Sequence, residues 1–186
     1  TRPKSSAASD VYKRQGVSRY IKYFFKRSKA FYDVVCYNGT GSNQTLNHSL
    51  GVVPELMWFK RRNDSSNWVV YHKDGTVSQA VYLDDPIRQL SNQTANLQSV
   101  PTTTQFVVGT SNEVNGVSNG SGNYICFLFA TLAGVSKVGS YTGNGTTQTI
   151  DCGFSSSSRF ILIKRTDAAG NWYFWDSARG ISAGND

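Results

Sequence analysis

The sequence predicts an all-β protein, an antiparallel and jelly-roll-like β-sandwich laid out as a tandem repeat. Three observations carry that prediction. Short segments are rich in Val, Ile, Phe, Tyr and Trp, turn residues separate them, and self-similarity recurs at one constant spacing. No segment sustains the apolar period of an amphipathic helix. With 39% hydrophobic and 17% charged residues, the 186-residue chain is too apolar to stay disordered. No apolar run is long enough for a membrane-spanning helix.

In chain order, strands are expected over Asp33–Tyr37, Glu55–Arg61, Asn67–His72, Gln105–Thr110 and Asn123–Thr131, followed by Lys137–Tyr141, Arg159–Arg165 and Asn171–Asp176. Asn38-Gly39, Gly41-Ser42, Asn119-Gly120 and Gly143-Asn144-Gly145 supply turns. Val77–Leu83 is short and β-branched at Val77 and Val81, so it reads as a further strand. Ser91–Thr104, dense in Ser, Asn, Gln and Thr, reads as a long loop. Leu56-Met57-Trp58-Phe59 and Phe160-Ile161-Leu162-Ile163 are apolar without alternation, which suits strands covered on both faces.

The repeat runs without a gap at an offset of 104 residues, the interval from Tyr37 to Tyr141. Tyr37-Asn38-Gly39 returns as Tyr141-Thr142-Gly143, Lys60-Arg61 as Lys164-Arg165, and Asn67-Trp68 as Asn171-Trp172. The same offset carries Tyr20-Ile21 onto Tyr124-Ile125 and Phe25 onto Phe129. Residues 16–32 then hold the closing strand of one unit, 33–136 a complete unit, and 137–186 the opening part of the next. Two successive units could each form a sandwich or share one.

Ser5–Gln15 reads differently. It matches the in-frame translation of a transposon-type sequencing adapter, whose end GATGTGTATAAGAGACAG encodes residues 10–15. Residues 1–15 are therefore expected to be an artefact, disordered and outside fold reasoning, and the natural chain is expected to continue past both ends. The charge is uneven along the chain. Of 19 Lys and Arg and 12 Asp and Glu, residues 1–30 hold nine basic side chains and one acidic. The remaining 156 residues hold ten basic and 11 acidic, so the body lacks the distributed basic face of a nucleic-acid binder.

Phe31-Tyr32-Asp33-Val34-Val35-Cys36-Tyr37-Asn38-Gly39-Thr40-Gly41 is followed by Leu50-Gly51-Val52-Val53-Pro54-Glu55-Leu56-Met57, Asn67–His72 and Gly134–Gly143. Together they resemble a repeated domain of unassigned function found in tailed-phage proteins, often marine, of the tail-fibre or virion-associated kind. The resemblance spans Tyr20 to Asp186 and carries no catalytic residues. It implies a structural or host-contact role in the virion after assembly in the bacterial cytoplasm. The implied partners are neighbouring repeats, a host-surface glycan and, by fibre analogy, two further copies in a homotrimer. A carbohydrate-binding module of a polysaccharide-degrading enzyme and a bacterial adhesin repeat are the alternatives.

For a glycan contact the candidates are Lys60, Arg61, Asn67 and Trp68, repeated as Lys164, Arg165, Asn171 and Trp172. If the two strands are neighbours, an exposed Trp can stack on a sugar while Arg and Asn bind its hydroxyls. The competing reading puts Trp in the core and the basic pair in solvent. Cys36, Cys126 and Cys152 are odd in number, have no CxxC spacing and align with Ser140, Lys22 and His48, so they read as buried thiols. His48 and His72 lack zinc spacing. His72 with Asp74 has no evident nucleophile, Asp84-Asp85-Pro86 reads as a solvated turn, and Asp167 with Asp176 have no diagnostic spacing. No enzyme, cofactor, metal, nucleic-acid or membrane role is expected.

Overall fold

The computed structural model describes residues 23–87, 89–117 and 122–177. Among them are nine strands and no helix, so the fold is all-β. The strands are β1 (Tyr32–Asn38), β2 (Gln44–Asn47), β3 (Leu56–Arg61), β4 (Val69–His72), β5 (Val81–Tyr82), β6 (Gln105–Val108), β7 (Asn123–Phe129), β8 (Phe160–Lys164) and β9 (Trp172–Asp176). A five-stranded antiparallel sheet has the order β1-β7-β3-β4-β5, and β2-β6 and β8-β9 form two-stranded ribbons. The expectations for residues 1–15 lie outside the described residues.

Strand alternation divides the large sheet into two faces. The inner face carries Val35 and Tyr37 of β1, Tyr124, Cys126 and Leu128 of β7, Met57 and Phe59 of β3, and Val69 and Tyr71 of β4. Leu46, Phe106 and Val108 of the β2-β6 ribbon cover it, with the Phe59 and Phe106 rings 5.9 Å apart. Each such side chain contributes roughly 1.5–3 kcal/mol on burial, which makes this the main cohesive layer. Asn115, fully buried, ties the loops at its edge: its amide donates to Ser42 O (2.5 Å) and Gly109 O (2.6 Å) and accepts from Thr40 N (2.9 Å). Gly39 has no room for a side chain there, since a Cβ would stand 2.6 Å from Gly116 O and 2.7 Å from the Tyr124 ring.

β3 is the central strand, and its buried residues alternate with half-buried ones. Leu56, Trp58 and Lys60 face outward, where the β8-β9 hairpin covers part of the sheet. Trp58 and Leu83 line an open cleft of about 190 Å³ with Tyr23, Phe25, Phe160, Leu162 and Phe174. Polar bonds fix the hairpin beside it: Trp172 Nε1 donates to Tyr82 O (2.7 Å), Lys164 Nζ and Gly170 N to Pro86 O (3.0 and 2.8 Å), and Gln89 N to Thr166 O (3.2 Å).

Four expectations need correction. Lys137–Tyr141 is not a strand. Its counterpart β1 is held by a seven-pair ladder to β7. Among the described residues no strand pairs with this segment. Val138 instead tucks against Thr131, its N–H bonding Thr131 Oγ1 at 3.0 Å. Residues 23–31 of the expected closing strand contain no named strand, for want of a ladder. Val77–Leu83 narrows to Val81–Tyr82, because turns occupy the residues before it. Cys36 is exposed rather than buried, since it points outward from the edge strand β1.

Candidate ligand-contact site

Lys60 and Arg61 end β3, and Asn67 and Trp68 lead into β4. Phe59 pairs with Val69, so the antiparallel register sets Lys60 opposite Trp68 on the outer face. Lys60 Nζ donates to Ser66 O, clasping the loop, and stands 5.9 Å from the centroid of the Trp68 ring. The Trp68 indole is half-buried and stacked with Phe127 at 6.1 Å and 24°. Its backbone is fixed too: the N–H bonds Asp84 Oδ1 (3.0 Å), and the carbonyl accepts from Leu83 N (3.0 Å).

Arg61 does not join this pair. Successive strand residues face opposite ways, so its side chain enters the inner layer, where it is 3% exposed. There its guanidinium lies 5.9 Å from the Tyr124 ring and bonds Asn63 Oδ1 (3.4 Å), with Asp64 at 3.6 Å. Asn67 likewise turns from Trp68 and donates to Glu113 Oε1 (3.4 Å). The Tyr82 hydroxyl donates to the other oxygen of that carboxylate (3.1 Å). Burial raises the Glu113 pKa against the pull of these two bonds. Burial, then the adjacent carboxylate, push Tyr82 up to about 12. The four sequence candidates therefore split into a Lys60–Trp68 pair, a buried Arg61, and an Asn67–Glu113–Tyr82 cluster. Glu113 and Tyr82 belong to no motif, and only folding brings them to Asn67.

The β8-β9 hairpin keeps part of this arrangement. Lys164 Nζ donates to Gly170 O (2.5 Å) as well as to Pro86 O, while burial lowers its pKa against the pull of Asp85. Arg165 pairs with Asp167 (2.7 Å) as Arg61 does with Asn63, but in solvent. Trp172 uses its indole N–H to dock the hairpin, and Asn171 is exposed.

The remaining chemically able groups are structural in their contacts. His72 Nδ1 accepts from Asp74 N (3.2 Å), with the Asp74 carboxylate at 3.9 Å; burial outweighs that carboxylate and lowers the histidine pKa. His48 contacts Thr102 O (3.1 Å) and accepts from Leu50 N (3.2 Å). Asp85 accepts from Ile87 N (2.8 Å) within its turn, and Asp84 accepts from Trp68 N (3.0 Å). Asp176 is buried and accepts the Tyr23 hydroxyl, whereas Asp167 is exposed. Among the described residues no three His, Cys, Asp or Glu side chains gather as metal ligands.

A half-buried indole beside an ammonium can present an apolar edge and donors to a sugar, with no covalent step implied. Residues 26–185 match the family described as a domain of unknown function (DUF7483), and the chain belongs to that family. No curated protein and no solved structure matches it.

Proposed function

We propose that this member of the DUF7483 family is a non-enzymatic, repeated building block of a phage virion appendage such as a tail fibre. The observation that supports the reading best is the shared register of two hairpins. Leu56 pairs with His72 and Phe160 with Asp176, and the next three pairs of each hairpin follow at the same offset of 104 residues. One sheet unit used twice, and docked on itself through Trp172 and Pro86, suits a protein whose task is to extend a surface. Mass spectrometry of purified virions, from a phage encoding this sequence, tests the location. Peptides from Asp33–Ser136 should appear at stoichiometric abundance, and their absence from intact particles would refute it.

Glycan contact is the narrower part of the reading, placed at Lys60 and Trp68 with Asn67 on the adjoining side. On a panel of bacterial surface glycans, the folded chain should bind at least one, and Trp68→Ala should weaken that binding at least tenfold. Equal binding by the two proteins would move the contact elsewhere.

A further inference from the structure

We infer that one face of the β8-β9 hairpin, made by Ile161, Ile163, Tyr173 and Trp175, is a docking surface for the same face of a second molecule of this chain. Ile161 pairs with Trp175 and Ile163 with Tyr173, the second and fourth pairs of their ladder, so strand alternation sets all four side chains on one side. The opposite side carries Phe160, Leu162 and Phe174, which line the cleft shared with Trp58 and Leu83. In the β3-β4 hairpin the second and fourth pairs are Met57 with Tyr71 and Phe59 with Val69. Those four are at most 5% exposed, sealed beneath Leu46, Phe106 and Val108 of the β2-β6 ribbon. By contrast, Ile161, Ile163 and Trp175 are only half-buried, and Tyr173 is 56% exposed.

What seals the β3-β4 face defines the occupant. It is a two-stranded ribbon presenting apolar side chains, and β2-β6 is already committed to its own sheet. β8-β9 is itself a two-stranded ribbon with an open apolar face, so two molecules each give the other the missing layer. The face is uncharged at its centre and charged beyond its ends. Arg159 stands exposed at the open end of the hairpin, and Asp167, its side chain 75% exposed, lies in the loop between β8 and β9. A two-fold axis crossing the strands sets Arg159 of each molecule toward the loop of the other, with its Asp167, whereas an axis along the strands would set Arg159 against Arg159. Tyr173 and Trp175 already stack on each other, 5.7 Å apart and 12° from parallel, so less ordering is left for association to impose. Four side chains make far less than the roughly 800 Å² per partner of a stable interface, so the dimer is weak and depends on concentration.

Sedimentation velocity of the full chain tests this, under reducing conditions that keep the exposed Cys36 from cross-linking. The chain should pass from monomer to dimer between micromolar and millimolar concentration. Tyr173→Lys puts a charge on the most exposed point of the face and should weaken the dimer at least tenfold. A monomer throughout the range would overturn the inference, as would a dimer equally tight in Tyr173→Lys or an assembly larger than two. Should Tyr173→Lys not fold, hydrogen exchange in the unaltered chain decides. Amides of Phe160–Lys164 and Trp172–Asp176 should exchange severalfold more slowly in concentrated than in dilute protein, and equal exchange there would overturn the inference.

Discussion

Lys60 and Lys164 make the same bond. Each Nζ donates to the carbonyl six residues ahead, Ser66 in one hairpin and Gly170 in the other, and so closes the loop between paired strands. The two environments differ, because the first hairpin lies inside a five-stranded sheet and the second is docked by a few polar bonds. Lys60→Met should therefore lower global stability by about 1 kcal/mol in urea denaturation. Lys164→Met also releases Pro86 O, and should speed hydrogen exchange in β8 and β9 without moving the midpoint of the main transition.

The tightest loop junction should be the least tolerant of change. Asn115→Ala leaves Ser42 O, Gly109 O and Thr40 N without their shared partner, and is expected to cost about 3 kcal/mol. Gly39→Ala should cost roughly 1–3 kcal/mol through overpacking, because the new Cβ meets backbone oxygens that cannot swing away. Chemical denaturation of the two variants measures both.

Two carboxylates should give opposite pH signatures. Glu113 has a raised pKa in the fold, so just above the ordinary carboxylate value of 4.5 the folded chain holds a proton that the unfolded chain has lost. Its contribution falls as pH rises through that window, and Glu113→Gln should remove the fall. At Glu55, burial alone would raise the pKa, but bonds from Thr131 and Lys73 outweigh it and the net shift is downward. Its stabilisation is present above 4.5 and is lost as pH falls through the depressed value. Glu55→Gln should accordingly weaken the protein at neutral pH and make little difference in acid. Thermal melts between pH 3 and pH 7, roughly bracketing the carboxylate range, report both signs.

Thiol labelling should separate the cysteines. Cys36 is exposed on an edge strand, whereas Cys126 is fully buried and burial drives its pKa well up. A thiol reagent should label Cys36 within minutes in the native protein. Cys126 should react only after denaturation, with a rate that follows unfolding.

Most strands were legible because their residues announce their composition, as in the aromatic run Asn123–Phe129 that begins just after Gly122. Lys137–Tyr141 was misread because composition is local while a strand needs a partner. The candidate site was half legible. Proximity of Lys60 to Trp68 follows from a hairpin whose register could be inferred, but the turn of Arg61 into the inner layer and the approach of Glu113 to Asn67 could not.

The all-β class and the positions of most strands were legible in the chain alone, because side-chain shape and turn chemistry act over a few residues. Only the packed layers set which face of β3 is sealed, which cysteine meets solvent and which carboxylate stands beside Asn67. Those outcomes depend on what another layer covers, and segments far apart in the chain supply that layer.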